Sequence, residues 1–262
     1  MFHEEPLGPP PPAPAPPPPL QEGGRPWRLR DLAAGTLLAV IGFGVILAAT
    51  IAAAVWGSGR QDPLTAMIVV GGTLVLEVWL GAIVLLLARI RRVSLRTLGL
   101  RAAGARALDH QGSYVLLALF GAYACVLGYA GAVTLLQQAT GVDLSGIMEG
   151  NQLPDDLPRT VGVWLVIGLA TVVAAPLGEE LFFRGFVYRG LADRFGAVAG
   201  IVGSGIAFSL VHFNVSVIVP FAAIGMVFAW VYRASGSLWT TIAAHAIFNG
   251  VSFVATLYGV GS

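Results

Sequence analysis

The chain has 262 residues, of which 56% are hydrophobic and only 11% charged, with a formal net charge of +1 and a mean hydropathy of +0.79. An ordinary soluble domain carries about 25% charged residues, so this composition excludes a water-soluble globule, and its near-zero balance offers no basic patch for nucleic acid. The single cysteine, Cys125, excludes an intrachain disulfide framework and reads as a small buried hydrophobe.

Residues 6–19 are mostly proline, which forms neither helix nor sheet ladders, so residues 1–30 are expected to be an extended, disordered cytoplasmic tail. A PxxP ligand for a partner protein is the alternative reading of the same run. Glu4, Glu5 and the prolines stand where a cleavable signal peptide would carry a basic and then an apolar region. The first apolar segment is therefore expected to stay as an anchor.

Runs of about 20 apolar residues, enough to cross roughly 30 Å of hydrocarbon, recur along the rest of the chain. They predict an all-α, polytopic transmembrane bundle with about seven spans, at 32–56, 64–88, 114–136, 160–183, 197–213, 215–233 and 238–257. The fourth is expected to run on as helix to Asp193, and Pro176 and Pro220 interrupt helices that neighbours in a membrane re-satisfy. Arginines cluster in the tail (Arg25, Arg28, Arg30), after the second span (Arg89, Arg91, Arg92, Arg96, Arg101, Arg106), after the fourth (Arg189, Arg194) and at Arg233. The opposite loops carry Arg60 and Asp62, then Asp143, Glu149, Asp155, Asp156 and Arg159. That asymmetry predicts a cytoplasmic N-terminus and a multi-pass protein of the cell membrane, in a bacterial inner or plasma membrane. Leu95, Leu98 and Leu100 alternate with arginines in the loop 89–112, which suits either a surface-lying amphipathic stretch or a loop that fixes topology. Three parts follow: the tail at 1–30, N-terminal spans with the arginine-rich loop at 31–158, and a C-terminal core at 159–262.

Ionisable groups inside a membrane cost several kcal/mol unless paired or hydrated, so each requires a reason. In the C-terminal core they fall into three groups: Glu179-Glu180-Leu-Phe-Phe-Arg184, Phe208-Ser-Leu-Val-His212 and His245-Ala-Ile-Phe-Asn249. Positions four apart share a helix face, so Glu180 can pair with Arg184 and His245 lies one turn from Asn249. If the fourth and fifth spans form a hairpin turning at Phe195-Gly196, Glu179 and His212 lie at equal depth, and Phe183 opposes Phe208. His245 enters the membrane from the same side, so the three pieces are expected to converge in a cavity open to the cytoplasm. A carboxylate in a dry pocket beside an imidazole can activate a water near neutral pH. A second histidine and an asparagine can donate to a developing oxyanion. Alternatively Glu179, His212 and His245 hold a zinc ion that acidifies the water; no HExxH is present, and the spacing leaves the cofactor open between none and zinc. Each group also has a plain structural reading. Glu180–Arg184 can be a charge-neutralising pair, the histidines satisfied core residues, Phe208 and Phe248 packing, and Glu77 an isolated acid facing the bundle or an arginine.

The three motifs in this order on successive membrane helices resemble the CPBP family of type II CAAX prenyl endopeptidases and bacteriocin-processing or immunity (Abi) proteins. Gly178, Phe182-Phe183-Arg184-Gly185 and Gly236-Ser237-Leu238-Trp239 extend the likeness over roughly residues 160–257. The resemblance implies an intramembrane endopeptidase acting on peptide or membrane-protein substrates within the bilayer. In it Glu179 is the water-activating base assisted by His212, Glu180 and Arg184 are supports, and His245 and Asn249 stabilise the oxyanion. Because asparagine is a poor zinc ligand and a good donor, the metal-free form is favoured. Two competing expectations remain: a non-catalytic scaffold or bacteriocin-immunity protein of the same fold, and a proton or solute pathway, for which an inverted repeat would speak and none is seen.

Overall fold

The computed structural model describes residues 26–57, 63–100, 105–148, 150 and 157–259, the side chains of 105–110 excepted. The proline-rich run, Arg25, Arg60, Asp62, Arg101, Glu149, Asp155 and Asp156 lie outside the described residues, as does the side chain of Arg106. Among the described residues seven long helices follow in chain order, with a short 3-10 turn at Ser145–Ile147: α1 (Leu29–Trp56), α2 (Pro63–Arg91), α3 (Ala105–Thr140), α4 (Val161–Phe195), α5 (Ala197–Leu210), α6 (Val215–Ser235) and α7 (Leu238–Leu257). Among the described residues there is no strand. Six of these helices are long and apolar enough to cross a membrane, and α5 is a shorter apolar helix. The chain is an all-helical, multi-pass membrane protein. Large apolar side chains such as Val40, Val78, Phe120 and Leu127 point outward, as a lipid-facing surface requires.

The fifth predicted segment stops at Leu210 rather than near residue 213. At 1.5 Å per residue its 14 residues rise about 21 Å, short of the roughly 30 Å core. Polar residues end it: His212 and Asn214 form the hairpin tip, and the Asn214 side chain caps α6 by accepting from the Ser216 N–H at 3.0 Å. The tip reaches α1, where Phe213 stacks on Phe43 with ring centroids 4.6 Å apart.

α4 runs without a break to Phe195, as its sequence predicts, but alternates between two helix types. Wider π turns occupy Leu169–Ala174 and Glu180–Tyr188. Pro176 lies at the start of the intervening α stretch, where its missing N–H and bulky ring would disturb a regular α ladder. The π turns, which shift the bonding pattern by one residue, flank that disturbance. Gly196, at φ 88°, makes the turn from α4 into α5, a conformation glycine adopts without strain.

One end of the bundle is tied together by the segment 92–100. Leu98 is wholly buried in the core, its carbonyl accepts from the Tyr232 hydroxyl at 2.9 Å, and the Gly99 carbonyl accepts from the Leu238 N–H at 3.1 Å. The buried Arg189 donates to the Thr97 carbonyl and, at 3.3 Å, to Tyr232 Oη. The surface-lying amphipathic expectation is therefore corrected: Leu98 packs inside the protein because its backbone is pinned to α6 and α7, and only Leu95 of the three leucines is largely exposed. Arg91 pairs with Asp31 of α1 at 3.0 Å, closing the same end.

Candidate active site

α4 supplies two adjacent acids. The α-to-π transition falls between them, Glu179 ending the α stretch and Glu180 opening the π turn. Glu180 and Arg184 are completely buried, and Arg184 Nη1 lies 2.8 Å from Glu180 Oε1, the predicted pair one turn apart. Arg184 Nη2 also donates to the Gly225 carbonyl at 3.3 Å, and the guanidinium sits over the rings of Phe208 and Phe228, at 4.7 and 5.3 Å. A counter-ion, a carbonyl and aromatic faces offset the cost of removing this charge from water, although Arg184 Nε and Glu180 Oε2 have no hydrogen-bond partner among the described residues.

α7 brings His245 against both acids. Its Nδ1 lies 3.0 Å from Glu180 Oε1 and its Nε2 lies 3.6 Å from Glu179 Oε2. Glu180, held by Arg184, is an acceptor, so the hydrogen-bond network assigns a proton to Nδ1. The ring is thereby fixed in orientation with Nε2 turned to Glu179. At 3.6 Å that second contact is an electrostatic pairing rather than a direct hydrogen bond.

The other predicted members come close by different routes. Phe183 and Phe208 face each other with centroids 5.4 Å apart, as the hairpin argument requires. His212, just beyond the end of α5, has Nδ1 2.9 Å from the Phe208 carbonyl and its ring 4.6 Å from that of Phe221. No hydrogen bond or ion pair joins it to Glu179 among the described residues; Phe208 packs against both imidazoles, 5.1 Å from His212 and 5.9 Å from His245. Asn249 is half-buried and donates its Nδ2 to the Thr171 carbonyl in the first π turn at 2.9 Å. It anchors α7 on α4 one turn from His245.

Two residues carry more than their sequence reading. Phe208, read as packing, is the aromatic hub touching Arg184, Phe183, His212 and His245 together. Its place at the head of Phe-x3-His is the one signal of this in the sequence. Glu77, read as isolated, is buried in the middle of α2, with Oε2 lacking any hydrogen-bond partner among the described residues, and it interacts electrostatically with Glu179.

The zinc alternative asks whether Glu179, His212 and His245 fit a metal. Among the described residues no three His, Cys, Asp or Glu side chains converge as a metal-holding group. Among the described residues no hydrogen bond or ion pair brings His212 to Glu179, so the three do not form a zinc triad in this arrangement.

Residues 161–251 match the family described as Type II CAAX prenyl endopeptidase Rce1-like. A protein of Bacillus subtilis (strain 168) named "Putative membrane peptidase YdiL" is 24% identical over 144 residues, covering 54% of this chain and 56% of that protein. The chain thus spans little more than half the length of the curated relative it matches. No solved structure matches it. The matched segment contains every one of Glu179, Glu180, Arg184, His212, His245 and Asn249, and over that segment the chain is similar to the Rce1-like type II CAAX prenyl endopeptidases, as its three motifs lead one to expect.

Proposed function

We propose that this protein is an intramembrane endopeptidase that cleaves peptide bonds of membrane-associated or peptide substrates with a water activated by Glu179. The observation that carries the reading is the clamped imidazole: Nδ1 of His245 on Glu180 at 3.0 Å, Nε2 toward Glu179 at 3.6 Å, and Glu180 itself held by Arg184 at 2.8 Å. A purely structural ion pair needs only Glu180 and Arg184. The second acid and the aligned histidine go beyond it.

In this reading Glu179 takes a proton from water as the oxygen adds to the scissile carbonyl carbon. Flanked by two carboxylates, His245 as imidazolium turns an Nε2–H toward the oxygen that gains negative charge, and the second Nδ2 hydrogen of Asn249 is the other donor. The proton on Glu179 then passes to the amide nitrogen, the C–N bond breaks, and amine and carboxyl products leave. His212 assists from across Phe208 through the rearranging water. Desolvated surroundings strengthen each of these interactions. The clustering of Arg91, Arg189 and Arg233 with the segment 92–100 at one end of the bundle supports a site open to the cytoplasm. The donor role of Asn249 supports a metal-free mechanism.

The test is proteomic comparison of peptide termini in membranes carrying the wild-type protein or Glu179→Gln. Termini that vanish in the variant, and in His212→Ala, establish the activity and identify the substrate together. Equal termini and full biological activity in both variants would replace the enzyme with a non-catalytic scaffold or immunity protein.

A further inference from the structure

Glu77 stands 14 residues from either end of α2, so with a rise of about 1.5 Å per residue it is about 21 Å from each end. No position on this helix is farther from water. The helix crosses α4 there at the closest approach the backbone allows: a Cβ added at Gly178 would lie 2.1 Å from the Glu77 carbonyl oxygen, and Gly81, one turn on, faces the Gly178 Cα. Gly178 immediately precedes Glu179. The crossing therefore holds the Glu77 backbone beside the acid pair, and the Glu77 carboxyl, buried with Oε2 unpartnered, interacts with Glu179.

The charges around it are few. α2 itself has Arg89 and Arg91 only at its far end, and Arg91 is paired with Asp31 of α1, the nearest acid on that helix. The Val161–Ala174 part of α4 carries no ionisable side chain. The rest of α4 contributes Glu179, Glu180 and Arg184, and α7 contributes His245. Arg184 already pairs with Glu180, and His245 already lies between Glu180 and Glu179. An ionised Glu77 would add an uncompensated charge at the midplane, next to another carboxylate.

We propose that Glu77 is a positioning residue of the site, a protonated carboxylic acid held beside Glu179 so that the two acids together carry one proton. Resting on the endopeptidase reading, this gives the pair one proton and one negative charge before reaction, with the charge on Glu179 because only Glu179 faces His245. When Glu179 takes the proton of the attacking water the pair holds two protons and is neutral. It returns to one when the amine leaves. Glu77 thus keeps Glu179 a base at the midplane while sparing the site a second charge.

Infrared spectroscopy of the purified full chain in detergent micelles at neutral pH, in H2O and D2O, tests this without any substrate. The wild type should show the carbonyl stretch of a protonated carboxyl. Glu77→Gln should lose it, and Glu77→Asp, which keeps the acid and guards against misfolding of the first variant, should retain it at a shifted position. A wild type without that band, or a folded Glu77→Gln that keeps it, overturns the proposal. On the peptide cut most strongly in the terminus comparison, the alkaline fall of the wild-type rate should include a component from Glu77 that Glu77→Gln lacks, the variant keeping only the loss of the donating His245 proton; identical profiles would also overturn it. If no peptide is cut, the endopeptidase reading fails and the infrared result alone decides the proton on Glu77.

Discussion

Replacing Arg184 by methionine leaves a side chain of similar length and removes the guanidinium that pairs with Glu180. Glu180, wholly buried and 2.8 Å from that cation, loses it and keeps His245, at 3.0 Å. Breaking a buried pair from one side costs about 3–5 kcal/mol. A second route to the number sets a ceiling. Rather than stay charged, Glu180 takes a proton, and an ordinary glutamate releases its proton near pH 4.3, so at pH 7 neutralisation costs about 3.7 kcal/mol at 1.36 kcal/mol per unit. The two agree. The sign of the pH dependence follows: the folded variant binds one proton more than its unfolded chain, so its stability rises as pH falls. At pH 5.5 the cost should shrink to about 1.7 kcal/mol.

The assay is denaturant-driven unfolding of the purified proteins in one detergent, followed by tryptophan fluorescence at both pH values. The double variant Glu180→Gln, Arg184→Met, which buries no charge at this pair, should recover about 2 kcal/mol of the single variant's loss at pH 7. A cost below about 1 kcal/mol at pH 7, or one indifferent to acidification, would show that Glu180 is not the buried carboxylate described above. Such a result would also remove the support that orients His245.

Gly178→Ala forces a Cβ to 2.1 Å from the Glu77 carbonyl and should cost about 1–3 kcal/mol by overpacking. Gly128→Ala on α3, where nothing lies within 4 Å, should be neutral or slightly stabilising in the same unfolding assay. Tyr232→Phe removes the hydroxyl that binds the Leu98 carbonyl and Arg189, so about 1–3 kcal/mol should be lost and hydrogen exchange of residues 93–100 should quicken. Asn249→Ala should slow cleavage of the identified peptide by about 10²–10³-fold through loss of an oxyanion donor, with stability lowered by about 1 kcal/mol for the bond to Thr171.

Much of the site was legible because its geometry is local or symmetric about a turn. The Glu180–Arg184 pair follows from helical periodicity, and the Phe183–Phe208 contact follows from equal distances about the Phe195-Gly196 turn, found where the sequence places it. The same argument set His212 opposite Glu179, and there the contacts differ. It treats both strands of the hairpin as regular helices, whereas α4 is wound as π turns over Glu180–Tyr188 and α5 ends two residues before His212. Nothing in residue spacing announces a π turn. Of the two readings of the loop around Leu98, the surface-lying one fails for a related reason: alternation of leucine and arginine describes which side chains share a face, and the hydrogen bonds from Tyr232 and Leu238 decide what that face meets.

Glu77 marks a sharper boundary of sequence reasoning. It belongs to no repeat of motif residues, and its neighbour Glu179 is 102 positions away. What joins them is the absence of side chains, at Gly81 and Gly178, where two helices come close enough for backbones to touch. A glycine in an apolar helix is too common in membranes to be read as a contact. The cost of an acid at the midplane, by contrast, is legible from sequence alone and already demands a partner. Composition can therefore state that Glu77 requires an explanation, and only the crossing of α2 with α4 identifies what it faces. The consequence for the proposed function is that the polar cluster draws on α2 as well as on the three motifs, so that in this reading α2 would enter the chemistry through the protonation of Glu179.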